Sequence, residues 1–411
     1  MIQELHDIQA ATGATFAELT TKEIVPVSFG NDAEAIAATK KGVALYDRTH
    51  WGRIQISDSD RLRFLHNQST NNFNILKPGQ GCDTVFVTST ARTIDLATAY
   101  ATEDAVLLLV SANRRRQLLE LLDRYIFPMD RVELTDLTDT TVAFSVLGPE
   151  STQLLEKIGV TELENQPYAT HKLIKTPPLS PGLFHSPQKH EFCRGSAPVP
   201  TPDLEDSIGR SDQEGRHGGT APTENETALP LSPPYQGGER GGVRVAVGSG
   251  LATPGYTLIA QAGDAANLWK ELVQAGAVPM GDRVWEQLRI EQGRPAPDFE
   301  LTDDYNPLEA RLLHTITYDK GCYIGQETIA RLNTYKGVKQ QLWGVQLSGA
   351  VEPGTAVTIG EDKVGKLTSF TETESGFFGL AYIRTKAGGE GLKVQVGSVS
   401  GEVVNVPFLS S

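Results

Sequence analysis

Lys320-Gly321-Cys322-Tyr323-Ile324-Gly325-Gln326-Glu327 packs a thiol between two glycines and surrounds it with a cation, a phenol, an amide and a carboxylate. Glycine lets a backbone adopt positive φ or approach another group closely. A cysteine in such a loop, two residues from Lys320, is placed to ionise more readily than one enclosed by apolar side chains. The same spacing also suits a tight turn in which the cysteine has no role, and it matches no general metal or nucleophile motif.

Further pieces line up in order around this octet. Downstream stands Ala330-Arg331-Leu332. Upstream are Arg289-Ile290-Glu291-Gln292-Gly293 and Asn306-Pro307-Leu308-Glu309-Ala310, and nearer the front Phe64-Leu65-His66-Asn67-Gln68-Ser69-Thr70-Asn71. Together they resemble the K-G-C-Y-x-G-Q-E signature and accompanying segments of the YgfZ family of folate-binding proteins, in the glycine-cleavage T-protein (aminomethyltransferase) superfamily. The resemblance covers nearly the whole chain except one insertion. It implies an α+β fold arranged as a multi-domain ring around a folate hole, tetrahydrofolate as ligand, and a role in iron–sulfur cluster assembly or repair. Effects on tRNA modification would then be indirect, through iron–sulfur enzymes.

Bulk properties agree with such a protein. A chain of 411 residues, 39% hydrophobic and 21% charged, suits a globular protein of two or three domains. A net charge of −14 argues against direct nucleic-acid binding, which needs a basic footprint. Arg114-Arg115-Arg116 is the densest basic cluster and is expected to be a solvated helix face. Cys82, Cys193 and Cys322 are odd in number and widely spaced, which suits neither a disulfide framework nor a zinc site and points to the reducing cytoplasm. The longest aliphatic run, Ala105 to Val110, is too short for a membrane span.

The periodicities predict mixed α/β structure. Residues 51–56, 84–88, 93–100, 105–110 and 131–137 are expected strands, with helices over 59–68, capped by Ser59 or Asp60, and 114–125. A similar order follows: strands at 142–147, 243–247 and 256–260, helices at 150–158 and 264–274. Two such halves resemble tandem ferredoxin-like units. The echo of Pro128-Met129-Asp130-Arg131-Val132-Glu133 in Pro279-Met280-Gly281-Asp282-Arg283-Val284 lends mild support to duplication. Residues 1–175 and 243–338 are therefore read as the two parts of one core. Residues 176–242 hold eleven of the 23 prolines and little apolar periodicity, and are expected to be a disordered insertion. Leu173-Ile174 and Val243-Arg244-Val245 would pair directly across it. Six short strands over 339–411 suggest a small C-terminal β-barrel.

Reduced folate makes two demands. A carboxylate accepts two hydrogen bonds from the pterin edge, and cations meet the anionic glutamate tail. In T-proteins the R-x-E-x-G carboxylate lies in the folate pocket, which points to Glu291, with Arg289 beside it. The alternative is a helix ion pair with Arg289 or Arg294. Glu309 is a second carboxylate, or else the cap of a helix over 309–314. Lys320, Arg331 and Lys336 surround the signature and could meet the folate tail or another anion, or form a solvated edge; the resemblance also implies Tyr323 and Gln326 as folate-binding residues.

Asp95 lies among apolar residues of a strand, which is costly unless it is paired or functional. T-proteins carry a catalytic aspartate there in a Gly-Gly-x-x-Asp-Asp setting. Here Ala91-Arg92 replace the glycines and Leu96 the second acid, a departure that questions aminomethyl transfer. Cys322 offers a nucleophile, a redox thiol or a transient metal ligand. One cysteine cannot hold an iron–sulfur cluster alone, so such a role would be shared with an assembly protein or client enzyme. His50, His66, His171 and His314 have no ligand spacing, so no resident metal is expected. Two rivals stand beside the assembly-factor reading. One is a folate-dependent one-carbon transferase using Asp95. The other is a scaffold with a vestigial pocket.

Overall fold

A computed structural model describes residues 2–161, 163–175 and 242–409. The chain opens with α1 (Ile2–Ala11), a hairpin of β1 (Thr15–Glu18) and β2 (Ile24–Ser28), α2 (Asp32–Lys41) and β3 (Ala44–Asp47). Then come β4 (Gly52–Ser57), α3 (Arg61–Gln68), β5 (Gly81–Val87), β6 (Thr93–Ala101), β7 (Ala105–Val110), α4 (Arg115–Arg124) and β8 (Glu133–Asp136). These strands form an antiparallel sheet in the order β5-β6-β7-β4-β8.

The sequence of elements repeats. It runs β9 (Thr141–Leu147), α5 (Ser151–Lys157), β10 (His171–Lys175), β11 (Gly242–Val247), β12 (Gly255–Gln261), α6 (Ala265–Gln274) and β13 (Val278–Met280). Their sheet order is β10-β11-β12-β9-β3-β13. Apart from β3, which wedges between β9 and β13, the second order reproduces the first, as expected for tandem ferredoxin-like halves. The β13 partner in the first half, β8, pairs directly with β4. The expected pairing across the insertion also holds, with Leu173 opposite Arg244 and Ile174 opposite Val243. Of the expected insertion 176–242, all but Gly242 lies outside the described residues; Gly242 opens β11.

Local chemistry explains the layers. All six residues of β7 are buried, as a continuous aliphatic run requires when both sheet faces are covered. Leu118 and Leu122, one turn apart on α4, pack under the first sheet with Ile54, Ile56 and Phe64. Trp269 of α6 packs under the second sheet with Phe144 and Leu258. The two sheets share a third cluster containing Tyr46, Trp51, Tyr100, Leu109, Ala143 and Ile259. Helices therefore cover the outer faces and aromatics fill the space between the sheets.

After β13 come α7 (Asp282–Gln292), an irregular stretch, and α8 (Gln326–Thr334). The chain then forms β14 (Gln340–Leu347), β15 (Ala356–Ile359), β16 (Asp362–Thr373), β17 (Gly376–Arg384), β18 (Lys393–Val396) and β19 (Val399–Val404), closed as a barrel by β14 against β19. Among the described residues no helix is long and apolar enough to cross a membrane.

Several expectations are corrected. No helix spans 309–314. The Asn306 side chain accepts the Leu308 and Glu309 N–H groups, and Arg311 adopts φ 58°, so the segment turns instead. Asp60 occupies the N-cap position of α3, but its carboxylate accepts the Arg131 N–H rather than capping the helix. The three arginines at the start of α4 are not merely solvated: Arg114, at its N-cap position, pairs with Asp298, Arg115 with Asp136 and Asp139, and Arg116 with Glu120. The Pro128 and Pro279 echoes fall at different points of their halves, ahead of β8 and within β13.

Candidate functional site

The signature octet folds as an anchored loop. Lys320 is 7% exposed, and its Nζ donates to the carbonyls of His66 (2.6 Å), Ser69 (2.7 Å) and Asn71 (2.6 Å). All three ammonium hydrogens are thus committed at the C-terminal end of α3, where carbonyls lack helical partners and the dipole favours a cation. Burial pulls the Lys320 pKa down to about 7. Gly321 lies against the His66 ring, where a Cβ would come 3.3 Å from Nε2. Cys322 is exposed. Tyr323 is buried with Ala91, Leu308, Ile316 and Ile329, and burial raises its pKa to about 12. The Ile324 N–H donates to the Asn67 carbonyl at 3.1 Å. Gly325 takes φ 80°, and a Cβ there would meet the Thr88 carbonyl at 2.8 Å. Gln326 then opens α8. The octet thus presents one thiol between two buried side chains.

This loop joins two segments that the sequence flags separately. Thr317 donates from its N–H to the Thr70 carbonyl (3.1 Å) and from Oγ1 to Asn71 Oδ1 (2.8 Å), while Thr70 Oγ1 donates to the Thr315 carbonyl (2.7 Å).

A second cluster lies where the first sheet meets the segment after α7. Asp95 on β6 is fully buried. Its Oδ2 accepts the Ser111 N–H (2.9 Å) and its Oδ1 the Ser111 hydroxyl (2.7 Å). Burial lifts its pKa from 3.8 to about 6, against the pull of Ser111, Arg294 and Arg114. Asp83 on β5 accepts the Thr98 hydroxyl (2.7 Å), and the Tyr168 hydroxyl reaches both its oxygens (2.9 and 3.0 Å). The Tyr168 residue is 48% exposed although its hydroxyl ends on a buried carboxylate. The Arg48 Cζ lies 3.9 Å and the Arg294 Cζ 5.2 Å from the centre of the Trp51 ring; Arg294 is also 5.6 Å from the Phe408 ring. His314 meets Phe408 edge-on at 5.8 Å and feels the charges of Asp83 and Arg294.

The remaining expected residues divide. Glu291, half-buried on α7, accepts from Gln287 Nε2 at 3.1 Å and pairs with neither Arg289 nor Arg294. Arg289 is buried and fully engaged: Nε to Glu286 (2.7 Å), Nη1 to Glu300 (3.1 Å) and Nη2 to Ser369 Oγ (3.2 Å). Glu300 has no exposed surface and also accepts the Thr368 and Ser369 hydroxyls (2.6 Å each), so the pair ties α7 to β16. Glu309 is buried and caps the Asn306 N–H at 3.1 Å, and burial raises its pKa. Gln326 is half-buried in the first turn of α8, while Arg331 and Lys336 are exposed. Among the described residues no group of three or more His, Cys, Asp or Glu is arranged to hold a metal.

The sequence reading passed over Asp83, Arg48, Trp51 and Tyr168. The rule that singled out Asp95, a charge within an apolar strand, applies equally to Asp83, which precedes Thr84-Val85-Phe86-Val87.

Residues 5–176 match the family described as the GCVT N-terminal domain. An Arabidopsis thaliana protein named "Putative transferase, chloroplastic" is 42% identical over 386 residues, covering 93% of this chain and 75% of that protein. An aminomethyltransferase of Mycobacterium tuberculosis is 26% identical over 417 residues, covering 99% of this chain and 96% of that protein. The crystal structure of glycine cleavage system aminomethyltransferase T from Bartonella henselae superposes with a TM-score of 0.75 at 16% identity, over 98% of this chain and 97% of that one, and so has the same fold.

Proposed function

The chain belongs to the glycine-cleavage T-protein (aminomethyltransferase) superfamily, and from that premise we propose that it binds tetrahydrofolate and supports iron–sulfur cluster assembly or repair. The observation that carries the reading is the presentation of Cys322. Lys320 and Tyr323 anchor the loop on either side and leave the thiol exposed. A cluster normally takes four ligands, so one thiol acts with the cysteines of a client or assembly protein. Altered tRNA modification would follow from impaired iron–sulfur enzymes. Glu291, with neither neighbouring arginine bound to it, keeps a carboxylate available for the pterin edge.

The test is Cys322→Ser in cells lacking the native protein, read as the activity of an iron–sulfur enzyme. Tetrahydrofolate binding is measured in parallel by anaerobic calorimetry. Lost enzyme support with unchanged folate affinity is expected. Full support from the serine variant would refute the reading.

A second reading is a folate-dependent one-carbon transferase. Burial brings Asp95 to about 6, near the range a general base requires. Its two oxygens are nevertheless held by Ser111, which weakens the case. Folate-dependent turnover that disappears in Asp95→Asn would favour this reading; absence of turnover in the intact protein would remove it.

A further inference from the structure

Arg48 is 1% exposed and Arg294 5% exposed, and both guanidinium groups approach the Trp51 ring. Among the described residues neither forms an ion pair. Arg48 Nη1 donates weakly to Ser145 Oγ (3.2 Å) and the Ser249 carbonyl (3.4 Å), while its Nε has no partner. Gly250 makes room for it: a Cβ there would stand 2.7 Å from Nη1. Arg294 donates no side-chain hydrogen bond among the described residues and lies near the Trp51 and Phe408 rings. The nearby carboxylates accept from neutral donors instead, Asp83 from Thr98 and Tyr168 and Asp95 from Ser111.

Burying a charge without a partner is among the costliest arrangements a fold can hold. The two cations also oppose each other, and Arg48 is pulled down to about 10 by burial and by Arg294. A fold that only needed packing here would place apolar side chains between Trp51 and Phe408. We propose that Arg294, backed by Arg48, binds a carboxylate group of a ligand. A planar guanidinium fork matches a carboxylate bidentately. A phosphate dianion fits less well, because Asp83 and Asp95 lie within electrostatic range of Arg294 and oppose a second negative charge.

The carboxylate has two possible sources. It belongs to the glutamate of a bound folate, in which case the proposal rests on the folate reading above, or to a separate small carboxylate. Anaerobic calorimetry on the full chain, with and without Arg294→Gln, separates them using three probes: tetrahydrofolate, 6-methyltetrahydropterin, which has the ring but no carboxylate, and acetate. The glutamate source predicts a loss of tenfold or more for tetrahydrofolate with no change for the pterin. The small-carboxylate source predicts that acetate binding disappears while both pterin affinities stay the same. Acetate binding that depends on Arg294, in a protein that ignores both pterins, would uphold the proposal and end the folate reading.

Equal weakening of tetrahydrofolate and the pterin would overturn the proposal. So would affinities unchanged within twofold for every probe, or no binding of any probe by the intact protein. Thermal melting of the ligand-free proteins supplies the second readout. An arginine kept for a ligand leaves the melting temperature of Arg294→Gln equal or higher, whereas one needed by the fold lowers it. Arg294→Lys keeps the charge without the fork and is expected to restore only part of the affinity.

Discussion

Replacing Lys320 with methionine separates anchoring from ligand binding. The side chain is of similar length and the site is buried, so little volume is lost. What disappears are three charge-assisted hydrogen bonds to the carbonyls of His66, Ser69 and Asn71. A hydrogen bond to a charged group contributes about 1.5–3 kcal/mol. The sum is reduced because the ammonium no longer has to be desolvated and water reaches some of the freed carbonyls. Loss of the cation at the end of α3 adds about 0.5 kcal/mol. The desolvation that lowers the Lys320 pKa to about 7 offsets much of that sum, so the expected net loss is on the order of 1–3 kcal/mol. Urea unfolding at pH 6, below the Lys320 pKa of about 7, should show it as a lower midpoint with an unchanged slope. A loss under about 1 kcal/mol, beyond which no anchor of this kind could be claimed, together with tenfold weaker tetrahydrofolate binding, would refute the reasoning. Lys320 would then be a ligand cation.

Three further outcomes follow from the geometry. Glu300→Ala leaves Arg289 buried with Glu286 as its one carboxylate and strips the Ser369 hydroxyl and the Ala296 N–H of their acceptor, so urea unfolding should show a loss of about 3–5 kcal/mol. Gly325→Ala forces a side chain into φ 80° and against the Thr88 carbonyl; the conformational cost alone is about 1–2 kcal/mol, and a melting temperature equal to that of the parent would contradict the loop geometry. Asp95 has a folded pKa of about 6, raised from 3.8, so the folded state binds the extra proton between those values. Its contribution is fully present below pH 4 and is lost as pH rises through 6, by on the order of 3 kcal/mol. Asp95→Asn should flatten the stability profile between pH 4 and 7 relative to the parent, and parallel profiles would show that Asp95 titrates normally.

Much of the fold was legible because its signals are local. Buried runs such as Ala105–Val110, the spacing of Leu118 and Leu122, and six short alternating strands each reported their own element. The join of β10 to β11 could be read because both flanks of the insertion keep strand character. The missing elements depend on distant partners. Strand β3 is four residues long and takes its place from β9 and β13, far along the chain. Strand β13 has three residues. Helix α8 starts from a glycine in the left-handed region, which ordinarily marks a helix end. The octet was recognised as a unit, but its inner division was not. Nothing in the spacing says that Lys320 turns inward to three carbonyls while Cys322 faces out.

The segment Arg289-Ile290-Glu291-Gln292-Gly293-Arg294 shows why the site resisted reading. Helical spacing would let Arg294, three residues on, pair with Glu291, whereas Arg289, two residues before it, lies on another face. Gly293 ends α7 at φ 84°, a turn that an L side chain resists, and from there the two arginines part. Arg289 reaches the barrel and is fully paired with Glu286, Glu300 and Ser369. Arg294 lies near the Trp51 and Phe408 rings and forms no ion pair or side-chain hydrogen bond among the described residues. Both are buried, so burial cannot explain the difference. The carboxylates near Arg294 are close enough to feel its charge, yet they are bonded to Ser111, Thr98 and Tyr168 instead. Stability alone would favour pairing or removing that charge. A buried cation whose neighbouring carboxylates are bonded elsewhere is what a site requires when its partner arrives with the ligand.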